Sequence, residues 1–498
     1  MSNRGGFVRR FGGVALGAKL PRMMSLALAG IVCAFCLGRM QAQQKSSRPG
    51  YQLLRQNENW SAISESSPSE KSDLFDAMKY VPLNESGSVW ASFGGHFRVR
   101  NETWNNFGFS DTEGRDDNFA NTRLFMHADI HLGKHVRVFT EGKTALATDR
   151  NLPGGRRGID IDSADLLNAF VDLSLPLAGD GKMTFRVGRQ ELLFGKQRLV
   201  SPLPWGNSFR TFEGFSGELK ISNWKVTGFW THPVKVKKYA LNRRDTSTEF
   251  FGVYAGGKAP GVKAGWDLYW LGLDRQRAVF GGIAGHERRH TVGSRIGGKI
   301  AASDFDYDAE ATYQFGTFGG NLDGNLGNAD ISAYMTASEL GYTFFDVPAS
   351  PRIHGGFDYA SGDDGRADRV GTFNQLFPLG HAYFGHIDTI ARQNIVDLST
   401  GVTVKPWRRW TIGVTGHNFR RANEHDAVYN AGGGVVRAGA SGSPTGVGSE
   451  IDLAAKYKVD KHTAVGGGWG HFFTGDFLAA SGPSDNVNFV YMWLQYTL

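Results

Sequence analysis

From about Trp90 to Leu498 the chain runs as short segments in which apolar and polar residues alternate, separated by Gly, Asp, Asn or Pro. Successive side chains of a β-strand point to opposite faces, so each segment predicts a strand with one face in an apolar medium and the other in water. In the first, Phe93, Phe97 and Val99 alternate with His96, Arg98, Arg100 and Glu102. In the second, Leu124, Met126, Ala128, Ile130 and Leu132 alternate with Arg123, His127, Asp129 and His131. The third sets Val136 and Val138 against Arg137, Glu141 and Lys143. The fourth sets Leu167, Ala169, Val171, Leu173 and Leu175 against Asn168, Asp172 and Ser174. The last segment, 488–498 (NFVYMWLQYTL), places Val490, Met492, Leu494, Tyr496 and Leu498 on one face. Such polar faces carry too much charge for a sandwich core. A bilayer is the simplest apolar medium, and a sheet edge cannot be satisfied in hydrocarbon, so the strands must close into a barrel around water.

The connections alternate in length. Nine are long and polar, among them 189–210, 273–291 and 360–394, and eight are short, such as 132–135 and 221–223. Seventeen connections join eighteen strands. The expectation is an all-β, transmembrane antiparallel barrel over 90–498, with long extracellular loops and short periplasmic turns. The 360–394 connection carries Phe373, Leu376, Phe377, Leu379, Tyr383 and Phe384. That much apolar surface is costly to leave in water, so this loop is expected to fold inward or over the mouth.

Composition agrees. The 498 residues include 67 Gly but only 16 Pro, and 12% are aromatic, which suits many tight turns and interfacial aromatic girdles. A mean hydropathy of −0.31 is no obstacle, because only half of each strand meets lipid. Arg4, Arg9, Arg10, Lys19 and Arg22 precede an apolar run at 23–37, the order of a secretory signal, with a cut after Ala42. Six of the 55 Lys and Arg lie in 1–42, leaving 49 against 48 Asp and Glu. The net +7 is therefore mostly targeting, and no nucleic-acid partner is expected. Cys33 and Cys36 both lie in the signal, so the mature chain is thiol-free, as suits an oxidising envelope. Residues 43–89 form a periplasmic lead, loosely held over 43–70, with a short helix expected within 73–81 before Pro82.

Two stretches invite a metal. His286-Glu287-Arg288-Arg289-His290 matches HExxH, but zinc chemistry needs a helix there, and glycines flank a run that leads into a strand. Asp363, Asp364 and Asp368 offer hard oxygens without a complete calcium-loop pattern, so a loop turn is the expected reading. No nucleophile elbow or phosphate loop is present, and neither catalysis nor a cofactor is expected.

Seven stretches resemble the alginate-export family of outer-membrane porins. They are 186–198 (RVGRQELLFGKQR) continuing to 215, 359–364 (YASGDD), 371–384 (GTFNQLFPLGHAYF), Gln393-Asn394, 426–429 (DAVY), 446–453 (GVGSEIDL) and 470–478 (GHFFTGDFL). The resemblance runs in order from about 73 to 498. It implies a monomeric barrel in the outer membrane, with an electropositive constriction passing an anionic polysaccharide or sugar acid. Exporters of this kind also have periplasmic partners.

Such a solute needs fixed positive charge in the pore, and arginine is always charged and can hold a carboxylate with two parallel hydrogen bonds. Parity puts Arg98, Arg100, Arg123, Arg137 and Arg186 on the lumen side. Arg189, Arg210, Arg392 and Arg420 stand at strand ends or on loops able to fold inward. The plainer reading of each is an ion pair with a wall carboxylate such as Glu102, Asp129, Glu141 or Asp172. The alternative function is a general or selective porin for small anions such as organic acids.

Overall fold

The computed structural model describes residues 49–65, 73–258, 264–280, 282–319 and 328–498; the expected signal segment lies outside the described residues. Eighteen strands form the wall. The first six are β1 (Val89–Asn105), β2 (Asp117–Leu132), β3 (Val136–Ala147), β4 (Asp162–Pro176), β5 (Lys182–Gln190) and β6 (Phe212–Ile221). Next come β7 (Trp224–Lys235), β8 (Thr248–Lys258), β9 (Ala264–Phe280), β10 (Ile283–Lys299), β11 (Phe305–Gly319) and β12 (Ala329–Thr343). The last six are β13 (Arg352–Ala360), β14 (Ile395–Val404), β15 (Trp410–Arg420), β16 (Gly446–Lys458), β17 (Thr463–Thr474) and β18 (Val487–Thr497). Each pairs antiparallel with the next. The ring closes where His96 to Asn105 of β1 pair with β18. No described helix is long and apolar enough to cross a membrane; the strands cross it.

Parity works out as the alternation requires. Leu124, Met126, Val171 and Trp230 stand 42–46% exposed on the outer face. Their neighbours Arg123, Asp129, Glu141 and Asp172 are buried inside. One residue departs. Leu167 was expected among the lipid-facing positions, yet it is buried against Phe125 and Phe209. A bulge is the reason: Glu141 pairs with Asn168 but Gly142 with Leu166, so Leu167 is the extra residue and Leu166 takes the lipid side.

The fifth long connection is also different. In place of a loop over 273–291, β9 and β10 continue as a ribbon to Phe280 and Ile283, with a register shift between Arg275 and Ala278. Its polar residues are strand residues. His286 and His290 thus lie four apart on a strand, about 13 Å at the strand rise, too far to share a metal. His286 instead meets Asp274 at 2.6 Å.

The lead is packed rather than loose over its described part. Leu54, Trp60 and Ile63 are buried, as are Arg55 and Glu58, paired at 2.6 Å. The Gln56 carbonyl accepts from Arg137 Nη2 on the inner wall at 2.9 Å. The helix α1 (Asp76–Lys79) ends on Lys79, whose ammonium donates to the carbonyls of Phe93 and Leu498 at 2.9 Å, across the β1–β18 seam. The 49–65 segment therefore occupies the short-turn mouth on the side of β1–β3 and β17–β18.

Candidate functional site

Two loops fold into the lumen and meet. The third, 191–211, joins β5 to β6, and the seventh, 361–394, joins β13 to β14. Their backbones form a parallel bridge at Val200 and Phe377. Ser201 N donates to Phe377 O (2.9 Å), Phe377 N to Leu199 O (2.8 Å) and Leu379 N to Gln197 O (3.0 Å). Apolar burial drives this. Phe373 and Phe384 are almost fully buried, and Phe377 packs edge-on against Phe212 and Phe250 of the wall. Burying each aromatic contributes about 1.5–3 kcal/mol, enough to keep the seventh loop out of solvent.

Carbonyls of the third loop's turn then become receptors for wall arginines. Arg98 donates to Pro204, Trp205 and Gly206 oxygens at 3.3–3.4 Å. Arg123, its register partner, donates to Pro204 and Gly206 at 3.0 Å. Arg100 reaches Trp205 O at 2.6 Å, lies 3.9 Å over the Trp205 ring and pairs with Glu102. Trp205 stacks in turn on His381 of the seventh loop, with centroids 3.6 Å apart. These three guanidinium groups hold one loop turn, and among the described residues only Arg100 pairs with a carboxylate, Glu102.

At the loop junction Arg210 donates to Ser201 O (3.1 Å) and Pro378 O (3.4 Å) and has no ion pair among the described residues. Burial pulls its guanidinium down to about 10, which leaves it charged at neutral pH. Arg392 is fully buried, donating to Asp358 and to the Arg198 carbonyl. Arg137 and Arg186 face the lumen lower down, saturated by Asp129 and Asp172. Two arginines are not brought to the constriction. Arg189 shares the outward parity of Phe185 and Val187 and ends on Asp165, Glu213 and the Asn242 carbonyl. Arg420 lies exposed on the outer side of β15, in step with Val414.

Other residues complete the frame. Arg198 crosses to β11, meeting Asp308 at 2.6 Å and Glu310 at 3.0 Å. Asn394, fully buried, donates to Asn423 and Ala427 carbonyls of the eighth loop at 3.0 Å and accepts from Asn423 N at 2.7 Å. Asp426 accepts from Asp363 N and Thr372 Oγ1. Gly385, at φ +82°, lies where an added Cβ would overlap Glu450 Oε1, which also accepts from Ile387 N. Glu191 and Glu141 share the Asn168 amide at 2.9 Å. Burial, reinforced by the Glu141 charge, raises Glu191 to about 8. His386, lowered to about 3 by burial and by neighbouring His381, is a neutral imidazole. Asp363 accepts from Gly365 and Gly371 amides, while Asp364 and Asp368 pair with Arg369 and Arg366, as a loop turn does. Between the seventh loop and the wall of β12–β16 lies a cavity of about 120 Å³, lined by Glu339, His354, Asp358, His386, His417 and Asp452 among others.

Sequence comparison decides what kind of barrel this is: the profile for alginate export matches residues 89–491. The chain belongs to the alginate-export family. The fold and family are those of outer-membrane channels, not of enzymes. Several motif stretches of this alginate-export chain lie on the two inward loops, and 426–429 and 446–453 carry Asp426, Glu450 and Asp452, which accept from the seventh loop. No curated protein matches the chain. Among solved structures it is similar to the outer membrane protein opdK of Pseudomonas aeruginosa, with TM-score 0.55 and 10% identity over 82% of this chain and 98% of that one. It is also similar to OccAB1 of Acinetobacter baumannii (0.54, 11%, 85% and 99%). A third is OccK2 (OpdF) of Pseudomonas aeruginosa, solved in complex with glucuronate (0.53, 11%, 82% and 98%).

Proposed function

We propose that this channel passes anionic sugar-acid solutes, polymeric or small, by passive diffusion, and that its selectivity arises at the third loop. One observation carries the reading: Arg98, Arg100, Arg123 and Arg210 gather around that loop against a single paired carboxylate, Glu102. Charges held in a confined, partly desolvated passage act far more strongly than on an open surface. The mature chain is nearly neutral, so local placement must do the selecting. An alginate-like polyuronate fits the family, and the glucuronate complex of OccK2 fits the chemistry.

A second reading, a channel for small organic anions, is favoured by the bridge that joins the third and seventh loops inside the barrel at Val200 and Phe377. Single-channel current in the presence of oligouronates, of monomeric glucuronate and of a small non-sugar carboxylate such as acetate separates the two. Block by the oligomer or by glucuronate beyond that by acetate supports the sugar-acid reading; an equal response to glucuronate and acetate, without block by the oligomer, supports the second. Indifference to all three, with no anion preference, sinks the proposal.

A further inference from the structure

The short-turn mouth carries a second cationic group, remote in the fold from the third-loop arginines. Lys182 begins β5, Lys220 stands near the end of β6 and Lys225 near the start of β7. The three are register partners, Lys182 with Lys220 and Lys220 with Lys225. All face inward, since Phe185, Phe215 and Trp230 take the lipid side at opposite parity. Glu218 lies 3.1 Å from Lys220 and 3.3 Å from Lys225, and Lys182 has no ion pair among the described residues. The ammonium groups of Lys220 and Lys225 remain solvated, with side chains 58% and 53% exposed.

Like charges directly opposite on neighbouring strands destabilise a sheet, so this triplet is not explained by folding. The 49–65 segment takes up another side of the mouth, with the Gln56 carbonyl on Arg137 of β3 and Tyr51 on His462 of the β16–β17 turn. Solute arriving from the periplasm is left to meet the lysine side.

We infer that Lys182, Lys220 and Lys225 form a capture site for a polyanionic solute entering from the periplasm, an inference that rests on the anion-channel reading above. Their spacing follows the strand separation of about 4.8 Å, which suits a chain bearing a carboxylate on every sugar unit. Lysine is a flexible, strongly hydrated point charge, fit for capture and release rather than tight holding. The inward direction of the side chains favours a solute over a docked protein. A field of this kind raises encounter rates, and salt screens it.

The test uses the full-length channel in planar bilayers, its orientation read from streptavidin binding to a biotin on the 421–445 loop. Oligouronate is added to one side at a time, and the blocking on-rate is measured at low and high salt. The expected result is a faster on-rate from the short-turn side. It falls about tenfold in the K182Q/K220Q/K225Q variant, with the reversal potential and the loop-side on-rate unchanged. The corresponding Lys→Arg triple restores it. Heat-modifiable gel migration confirms that the variants fold. Equal on-rates from both sides in an anion-selective wild type overturn the inference while the channel reading stands. Asymmetry that survives the triple substitution also overturns it. A cation-selective wild type removes both.

Discussion

Arg210 and Glu191 are the two side chains whose titration or removal is most directly readable in current. Arg210 is held by carbonyls alone, so Arg210→Gln removes a charge without orphaning a carboxylate. A unit charge about 15 Å from a permeating ion at an effective dielectric of about 20 is worth about 1 kcal/mol. Because the anion loses that energy and the cation gains it, the anion-to-cation permeability ratio should fall about thirtyfold, measured as a smaller reversal potential. Arg392→Gln is the contrasting case. It leaves the half-buried Asp358 without its guanidinium partner and removes the bond to the Arg198 carbonyl, a cost of about 1–3 kcal/mol, and should loosen the loops and lower the melting temperature of detergent-solubilised barrel. Glu191 supplies a pH test. Its pKa is raised from 4.5 to about 8, so its contribution to anchoring the third loop is complete below about 4.5 and is lost as pH rises through 8. Open-channel noise should therefore grow between neutral and mildly alkaline pH in wild type and stay flat in Glu191→Gln. Equal pH dependence in both would refute this.

At the scale of elements, the clamps on the inward loops matter more than the strands beneath them. Asn394→Ala deletes two donated bonds and one accepted bond in a fully buried setting, at about 3 kcal/mol, and should release the seventh loop from the eighth. The expected outcome is a larger, noisier channel in single-channel recording, from a barrel that still assembles. Deleting 49–65 should raise conductance, because that segment fills one side of the short-turn mouth; unchanged conductance would place its contacts outside the ion path.

The inward folding of the seventh loop was legible in its aromatics, and the motif stretches pointed to the residues that clamp it. The partners of the wall arginines were not legible. Arg98 and Arg123 read as lumen charges, free or paired with a wall carboxylate, because nothing in their strands announces that the carbonyls of 204–206 will arrive from another segment. Leu167 was misplaced because a bulge shifts parity without a mark of its own. The β9–β10 ribbon read as a loop because strand residues beyond the bilayer lose the apolar alternation that lipid imposes.

At the scale of the whole molecule, the facing of eighteen strands followed from apolar–polar alternation, and their closure from one constraint: backbone polar groups need partners wherever hydrocarbon surrounds them. That constraint fixes a wall but says nothing about what passes through it. Passage depends on how the loops distribute charge within a chain of 49 cationic and 48 anionic side chains beyond residue 42. The reversal potential of single wild-type channels under a salt gradient tests this most directly. The account predicts anion preference despite near-neutral composition; a cation-selective channel would contradict it.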